Sequence, residues 1–530
     1  MRADTFQDTD ILLQRARRNT LGDLLVRTRE RMPHKMALTY NDQRLNYAEL
    51  DDRVNQTAHA MITDDIKKGD MVAVMSKNSL DFVVVKFALA RIGAIMIPIN
   101  YMLTREEVRY ILEHANVSNL IASKEYAPLL EHAATNLVIN HCYLMDTIDV
   151  SDVELAAWTT LAEAREDHST EFVDISIDDD DVAQVLYTSG TETSPKGVML
   201  SHKSIISEYV SSVIDGKMES RDILVHALPF YHSAQLHVFL GPSIYLGSSG
   251  IILGSADPDS ILKTIEREGA TQLFAPPTVW IALLRHSDFD KYDLSSLEKC
   301  YYGAAIMPKE VLKELAERLP NARFWNFYGQ TEVAPLATAL QPEDQLRKLG
   351  SAGVPSLHTQ TKIVDDENNE VPCGEVGEIV HRTPHAMKGY LNDPEKTAEV
   401  FRGGWLHSGD LGVKDKEGYI TIVDRKKDMI NTGGVNVSSR EIEETIYQMD
   451  GVSEAAVISI PDAYWIEAVK AVVVPKEGIE LTEEAIITFC KERMSKFKAP
   501  KQVDLINELP KNPSGKVMKR TLRDRDKSET

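Results

Sequence analysis

A hydroxyl- and glycine-rich turn between two apolar runs constrains this 530-residue chain more than any other stretch. The first run ends at Leu186, and the turn reads Tyr187-Thr188-Ser189-Gly190-Thr191-Glu192-Thr193-Ser194-Pro195-Lys196-Gly197 before a second apolar run. Backbone N–H groups and hydroxyls in such a turn can surround phosphate oxygens, and a lysine supplies a matching charge. It is not a P-loop, which needs Gly-x4-Gly-Lys-Ser/Thr before a helix. The stretch predicts a phosphate-binding loop after a buried strand, although a solvated hairpin has the same composition.

Strand and helix patterns alternate near the start of the chain. Residues 71–75 have the pattern of a strand, 83–92 that of a helix and 94–99 that of another strand. Thr104 and Glu107 form a capping-box pattern, which predicts a helix that starts there. Such alternation is typical of α/β layers on mostly parallel sheets. A chain of 530 residues is also too long for one ordinary core, so we expect at least two domains.

Charge and cysteine content exclude several classes of function. The net charge of −22 argues against nucleic-acid binding, which needs a basic surface. The four cysteines form no Cys-x-x-Cys motif, so neither a zinc site nor a disulfide framework is indicated. A reducing compartment is the simplest interpretation. The first residues have no signal-peptide pattern, and we therefore expect a cytoplasmic protein.

Residues 223–256 contain no Asp, Glu, Lys or Arg, and this run is long enough to span a bilayer. It is interrupted by His226, His232 and His237, by two prolines and by several glycines and serines. A membrane-spanning helix needs a mostly unbroken apolar stretch. The sequence therefore favours buried core elements around a pocket, with no transmembrane span.

Four later segments combine glycines with charged or hydroxyl side chains. A hydroxyl and a carboxylate in a glycine-containing loop suit a triphosphate, because Mg²⁺ prefers carboxylates together with substrate phosphates. A charged, unperiodic run followed by a glycine pair is typical of a linker. The segments are Tyr328-Gly329-Gln330-Thr331-Glu332, Gly404-Trp405-Leu406-His407-Ser408-Gly409-Asp410, Asp424-Arg425-Lys426-Lys427 with Gly433-Gly434, and Pro513-Ser514-Gly515-Lys516.

Together with the turn at 187–197, these segments resemble the motifs of the adenylate-forming superfamily of acyl-CoA synthetases, peptide-synthetase adenylation domains and luciferases. The superfamily turn is close to Tyr-Thr-Ser-Gly-Thr-Thr-Gly-x-Pro-Lys-Gly, from which this chain departs at Glu192-Thr193. The resemblance implies an α/β fold with a large N-terminal domain of layered, mostly parallel sheets and helices. A small C-terminal α+β lid domain is expected to follow, joined by a hinge.

The resemblance also implies the limits of the domains. Residues 1–426 form the large AMP-binding domain, and residues 427–530 form the small domain that carries the catalytic lysine, Lys516. Lys427 is the hinge residue, and Gly433 and Gly434 lie where CoA passes. One departure is Trp465-Ile466, which makes the expected CoA side bulkier than in the superfamily.

Roles for individual side chains follow from the same resemblance. Glu332 is expected to bind Mg²⁺, Thr331 to contact the α-phosphate, and Asp410 and Arg425 to contact ribose. The alternative for Glu332 is a surface charge, and the phosphate loop upstream favours the metal-binding role. The full set of residues implied in ATP binding is Ser189, Gly190, Thr191, Lys196, Gly303, Ala304, Ala305, Tyr328, Gly329, Thr331, Asp410, Arg425 and Lys516.

The carboxylic acid is expected to lie against Tyr231, His232 and Gly303. Without the resemblance, His232 reads as an ordinary core histidine, and Gly303 fits strand-to-helix packing and the close approach of a flat group equally well. The residues to which the resemblance gives catalytic roles are Lys516, Thr191, His232 and Glu332.

The implied reaction joins a carboxylic acid to ATP as an acyl-adenylate and then to CoA, with Mg²⁺ as the cofactor. No acidic residue stands near Tyr231-His232 to hold an amino group, which favours a medium- or long-chain fatty acid. An aryl or arylpropenoate acid fits the same features. A third alternative loads a separate carrier protein without CoA. The expected partners are the acid, ATP and CoA but no nucleic acid, and a homodimer is left open.

Overall fold

A computed structural model shows a mixed α/β chain with a large N-terminal and a smaller C-terminal domain, which confirms the predicted fold class. The structure describes residues 9, 12–145, 158–188, 195–303, 307–426, 428–432, 435–462, 466–512 and 517–529. Together these ranges are called the described residues.

The largest sheet in the described residues has nine strands. Its neighbours from Arg323–Gly329 to Met36–Tyr40 pair in parallel, so the carboxyl ends of these strands lie along one edge. Ligands of open α/β sheets bind outside that edge. The strands, in order across the sheet, are Val354–Pro355, Leu336–Leu340, Arg323–Gly329, Lys299–Gly303, Gln272–Phe274, Ile223–His226, Ser249–Ile252, Met36–Tyr40 and Gln43–Asn46.

A second sheet has eight strands within the described ranges and carries the predicted phosphate loop. The two strands that flank the loop pair antiparallel, with Thr188 opposite Lys196, which confirms the expected strand before it. The strands, in order, are Gly389–Tyr390, Lys196–Ser201, Val182–Thr188, Ile95–Pro98, Met71–Met75, Asn119–Ser123, His141–Met145 and Thr159–Thr160.

Two smaller sheets complete the chain. An antiparallel sheet contains Gln360–Val364, Gly377–Arg382, Leu406–Lys414 and Ile420–Arg425. All strands of the last sheet come after the expected hinge, although the boundary at residue 427 stays a prediction. They are Val435–Val437, Ile430–Thr432, Ile466–Pro475 and Val452–Asp462, with Gln502–Leu505 beside Ile466–Pro475.

Helices cover the sheets, and their starts follow local capping chemistry. Thr104 and Glu107 cap each other's backbone, so the helix predicted there begins at Arg105. The α-helices are Leu21–Arg31, Tyr47–Thr63, Leu80–Ile92, Arg105–His114, Ala127–Ala133, Leu161–Arg165, His202–Asp215, Gly241–Leu246, Pro258–Glu268, Pro277–Leu284, Lys309–Arg318, Pro394–Val400, Ser439–Ile446, Glu483–Arg493 and Lys519–Glu529. A π-helix spans Ala234–Leu240, and 3₁₀ turns span Phe289–Lys291, Thr331–Val333, Pro342–Asp344 and Arg402–Gly404.

The helix Leu80–Ile92 is buried along its whole length. It is apolar on nearly all sides, as expected for a helix inside a core. Two cations are buried with it. Arg91 pairs with Asp51 at 2.7 Å, whereas Lys86 donates a 3.4 Å hydrogen bond to the Tyr209 hydroxyl. Burial lowers the pKa of Lys86 to about 7.

The uncharged run at 223–256 forms part of this interior. It contains the strand Ile223–His226, the π-helix, the helix Gly241–Leu246 and the strand Ser249–Ile252, and most of its side chains are buried. The prediction of buried core elements is therefore confirmed. Within the described residues, no helix combines the length and apolar character that a membrane crossing requires.

Asp424 joins the end of the antiparallel sheet to the small domain. Its carboxylate accepts hydrogen bonds from the backbone N–H and the hydroxyl of Ser439, at 2.7 and 2.8 Å. Lys519, at the start of the last helix, donates to the same hydroxyl at 2.7 Å and pairs with Glu443 at 2.8 Å. A carboxylate at a helix N-terminus is favourable. These contacts hold the first and last helices of the small domain against the strand that carries Arg425.

Candidate active site

Lys196, Tyr390 and Glu332 form one chain of contacts at the edge of the eight-stranded sheet. Lys196 begins its strand, and Tyr390 belongs to the two-residue strand that pairs antiparallel with it. The Lys196 Nζ atom lies 5.4 Å from the centre of the Tyr390 ring. The Tyr390 hydroxyl donates a 2.9 Å hydrogen bond to Glu332 Oε1. One phenol side chain thus contacts both a cation and a carboxylate.

Thr331 connects this cluster to the segment that carries His232. The hydroxyls of Thr331 and Ser233 are hydrogen-bonded at 3.1 Å. His232 Nδ1 accepts a 3.3 Å hydrogen bond from the backbone N–H of Ala234, where the π-helix begins. The ring of His232 is therefore oriented by the start of the π-helix, and the residue after it contacts Thr331.

Tyr231 lies next to His232 with its ring at a right angle to that of Tyr101, their centres 5.3 Å apart. Its hydroxyl is buried and has no hydrogen-bond partner among the described residues. Burial raises the pKa of Tyr231 above its usual value, so the phenol is neutral at physiological pH. A neutral phenol of this kind can donate a hydrogen bond to an oxygen of a bound acid.

Tyr328, Asp410 and Arg425 form a second cluster. The Tyr328 hydroxyl donates a 2.7 Å hydrogen bond to Asp410 Oδ2. Arg425 faces Asp410 on the neighbouring antiparallel strand, with its Nε atom 3.3 Å from Oδ1. Burial, and then the Asp410 charge, raise the pKa of Tyr328 well above its usual value, which keeps the hydroxyl protonated. Because Tyr328 and Glu332 are four residues apart, the two clusters are neighbours.

Two predicted site glycines have clear packing roles. A Cβ atom at Gly303 would lie 2.3 Å from the carbonyl oxygen of Phe327, and one at Gly329 would lie 1.7 Å from that of Pro335. Any larger residue would therefore force these strands apart. Packing alone explains both glycines, so their contacts with ATP or acid stay predictions.

Several predicted residues lie outside the described residues, but for three of their loops the flanking residues are described and pair with each other. Thr432 pairs with Val435 around Gly433 and Gly434, and Lys511 pairs with Val517 around Lys516. These loops, like the one between Thr188 and Lys196, are closed at the base by antiparallel pairing. The predicted residues outside the described ranges are Ser189, Gly190, Thr191, Ala304, Ala305, Lys427, Gly433, Gly434 and Lys516.

Comparison with known proteins assigns the family. The family model described as AMP-binding enzyme matches residues 25–391, and the AMP-binding enzyme C-terminal domain matches residues 441–516. This chain belongs to the AMP-binding enzyme family. The expected membership of the adenylate-forming superfamily is confirmed.

Curated relatives in this family match the chain along almost its whole length. A feruloyl-CoA synthase of Amycolatopsis sp is 34% identical over 96% of this chain and 99% of its own. A long-chain-fatty-acid–CoA ligase of Bacillus subtilis is 33% identical over 95% of this chain and 94% of its own. Because these AMP-binding relatives are CoA ligases, the prediction of an AMP-forming ligase is confirmed.

Solved structures of AMP-binding enzymes have the same architecture. The anthranilate CoA ligase AuaEII in complex with anthranoyl-AMP superimposes with a TM-score of 0.89 at 27% identity, covering 96% of this chain and 97% of that one. ATP-bound MatB from Rhodopseudomonas palustris gives a TM-score of 0.86 at 30% identity, over 96% and 99% of the two chains.

A magnesium ion, expected for an AMP-binding enzyme that uses ATP, fits the surroundings of Glu332. Mg²⁺ is usually held by one or two carboxylates together with substrate phosphates. Glu332 Oε1 accepts from Tyr390, and Oε2 makes no hydrogen bond within the described residues, so it can face a metal. The described residues contain no group of three His, Cys, Asp or Glu side chains that would hold a metal alone. The fit is therefore to metal bound with the nucleotide.

Tyr390 and Ser233 are the site residues that sequence reasoning missed. Tyr390 contacts both Lys196 and Glu332, and Ser233 contacts Thr331. A two-residue strand has no periodicity, so nothing marks Tyr390 before the pairing of strands is known. Ser233 could have been found, because it directly follows His232 in the predicted pocket segment.

Proposed function

We propose that this protein activates a carboxylic acid with an uncharged tail, using ATP to form an acyl-adenylate, and then transfers the acyl group to CoA. The observation that carries the proposal is the arrangement around the segment Tyr328–Glu332. At one end Tyr328 joins the predicted ribose residue Asp410, and at the other Glu332 joins Lys196 through Tyr390. Between them, Thr331 contacts Ser233, next to the predicted acid-binding residue His232.

In the first step, an oxygen of the acid's carboxylate attacks the α-phosphorus of ATP. A bond forms between the carboxylate oxygen and the α-phosphorus, and the bond between the α-phosphorus and the pyrophosphate oxygen breaks. Lys196 supplies positive charge to the departing phosphates, and Lys516 neutralises charge that develops on the reacting oxygens. Mg²⁺ at Glu332 supplies further charge to the phosphates when bound. Asp410 accepts hydrogen bonds from ribose and is held in place by Tyr328.

In the second step, the CoA thiolate attacks the acyl carbon, and AMP leaves with the electrons of the carbon–oxygen bond. One pocket cannot hold both Lys516 and pantetheine, so the small domain must turn about Lys427 between the steps. Gly433 and Gly434 then line the path of CoA. The small domain, residues 427–530, thus acts as a lid that serves each step in a different position.

The tail of the acid is expected to be uncharged. The segment from Ile223 to Ile252 brings no charged side chain to the site, and its polar groups there include Tyr231, His232 and Ser233. Fatty and aryl acids both satisfy this condition. The relatives include ligases of both classes, a feruloyl-CoA synthase and a long-chain-fatty-acid–CoA ligase, so they do not decide between them.

The test is release of AMP from the full-length enzyme with ATP, Mg²⁺ and a panel of fatty and aryl acids, each with and without CoA. We expect AMP release that needs both an acid and CoA and is strongest for one class of acid. Adenylate that accumulates and does not respond to CoA would instead favour loading of a carrier protein. No AMP with any acid would refute the proposed activity.

A further inference from the structure

A short segment, residues 387–391, connects Glu332 with the strand that carries Lys196, and it is called the strap here. The backbone N–H of its first residue, Met387, donates a 2.9 Å hydrogen bond to the carbonyl oxygen of Glu332. Backbone N–H groups on both sides of Tyr390 donate to carbonyl oxygens of the strand Lys196–Ser201, at 2.9 and 2.8 Å. The strap therefore holds the backbone of the predicted metal ligand against the strand that begins with the predicted phosphate lysine.

The backbone of Tyr390 is fixed from a second side by the helix that follows it. The N–H of Tyr390 donates a 2.9 Å hydrogen bond to the Thr397 hydroxyl, and that hydroxyl donates at 2.7 Å to the carbonyl oxygen of Asp393. Gly389 allows this close approach, because a Cβ atom there would lie 2.8 Å from Cγ2 of Thr397. The position of the Tyr390 side chain, which is buried, is therefore set by the backbone around it.

Tyr390 contacts the two charged groups with different parts of its side chain. The centre of its ring lies 5.4 Å from Lys196 Nζ, within the range of a cation–π contact. Its hydroxyl donates a 2.9 Å hydrogen bond to Oε1 of Glu332. Lysine carries its charge on a flexible four-carbon stem, so the ring contact restricts where the ammonium group lies. The hydrogen bond to one oxygen of the Glu332 carboxylate likewise orients the other oxygen.

The hydroxyl of Tyr390 is the part of the side chain that packing does not require. Its ring belongs to the apolar core that also contains Met387, Leu186 and Val198, and a phenylalanine ring would fill the same space. Carboxylates that bind metal ions are themselves hydrogen-bonded by neighbouring residues, and those neighbours affect metal affinity. The hydroxyl of Tyr390 stands in this relation to Glu332, the predicted Mg²⁺ ligand.

We propose that Tyr390 is a positioning residue for ATP: its hydroxyl orients the Glu332 carboxylate for Mg²⁺ bound with the phosphates, and its ring holds Lys196 for the phosphates themselves. This inference rests on the proposed function. The hydroxyl affects ATP binding only when Mg²⁺ is present, because it acts through the metal ligand. The ring affects ATP binding with or without Mg²⁺, because it acts through the lysine. Removing the two parts of the side chain separately therefore gives different results.

The test measures the Kd of the full-length protein for ATP by isothermal titration calorimetry, once with Mg²⁺ and once with EDTA. Tyr390→Phe keeps the ring, so we expect ATP to bind about tenfold more weakly with Mg²⁺ and unchanged with EDTA, since loss of such a supporting hydrogen bond weakens metal binding at least about tenfold. Tyr390→Leu also removes the ring, so binding with EDTA should weaken about threefold. The fitted stoichiometry counts the folded molecules, so partial unfolding does not alter the Kd.

Tyr143→Phe is the matched control and should leave both Kd values unchanged. Tyr143 is buried in the same eight-stranded sheet, and its hydroxyl also donates to a carboxylate, that of Asp64. Its strand is the fifth along the sheet from Lys196–Ser201, about 24 Å away. An unchanged Kd with Mg²⁺ in Tyr390→Phe, an equal loss with EDTA, or an equal loss in the control would overturn the inference and leave the ligase activity standing. A wild-type protein that binds no ATP would refute the proposed function itself.

Discussion

The hydroxyl of Tyr328 sets the position of Asp410, the predicted ribose ligand. Tyr328→Phe removes a 2.7 Å hydrogen bond worth about 0.5–1.5 kcal/mol, and we expect KM for ATP to rise roughly 3–10-fold. Tyr47→Phe is the matched control, since its buried hydroxyl donates to Ser248 far from the site. Steady-state kinetics with varied ATP decide the question. An unchanged KM, or an equal rise in both variants, would separate Tyr328 from nucleotide binding.

Lys86 makes the stability of the protein depend on pH in a definite direction. Its pKa is about 7 in the fold against 10.5 ordinarily, because burial disfavours the charged form. The unfolded chain therefore binds more protons between these values, and stability rises as pH increases through them.

The expected consequence is that Lys86→Met stabilises the fold more at pH 6 than at pH 9. The gain should be about 3 kcal/mol smaller at pH 9, because Lys86 is neutral in the folded protein at that pH and part of the cost of protonating it no longer applies. Urea denaturation followed by circular dichroism at the two pH values measures it. Wild type and variant with parallel pH profiles would show that Lys86 is not the group responsible.

Single residues could be predicted from the sequence where a motif marked them. Glu332 and Asp410 stand in short segments of fixed spacing. The structure joins Asp410 directly to the predicted residue Tyr328, and it joins Glu332 to the predicted residue Lys196 through Tyr390. Tyr390 could not be found this way, because its role comes from a strand pairing that brings it to Lys196 across about 190 residues.

At the scale of elements, the alternation of strands and helices was readable but the π-helix was not. Its sequence, Ala234–Leu240, has the apolar character of any buried helix, and the wider turn depends on how it packs. That turn matters because it places Phe239 against the rings of Phe274 and Tyr301. Such π-helical segments are frequent at functional sites.

Removing the Phe239 ring beneath the π-helix should change chain-length selectivity. Phe239→Ala opens space next to Phe274 and Tyr301, so we expect the kcat/KM ratio of dodecanoate to hexanoate to rise at least about tenfold. Phe289→Ala is the control, because Phe289 is also buried but packs against Arg318 in another cluster. A ratio that stays constant, or that rises in both variants, would mean that Phe239 does not bound the acid pocket.

At the scale of the whole molecule, layering could be predicted but strand order could not. The sequence pattern indicates strands between helices, which is enough for an α/β class. It does not reveal that Met36–Tyr40 lies beside Ser249–Ile252, more than 200 residues later. Such pairing is set by which apolar faces pack together, and one sequence does not record it.

The two proposed steps require different positions of the small domain, and this separates the effects of one substitution. We expect Lys516→Ala to abolish adenylate formation yet to spare thioester formation from a supplied acyl-adenylate, since Lys516 acts only in the first step. Pyrophosphate release reports the first step, and acyl-CoA formed from synthetic adenylate reports the second. Equal loss of both would contradict the alternation of the small domain.

The short strand Gly389–Tyr390 also has a consequence for synthesis on the ribosome. It pairs with Met199 and Val198, and its tyrosine completes the contacts of Lys196 and Glu332. Translation at roughly 5–20 residues per second needs about 10–40 s to make the intervening chain. Through that interval the strand Lys196–Ser201 lacks its later partner, because Gly389–Tyr390 has not yet been made. A nascent chain therefore cannot gain stability from ATP until most of it has been made.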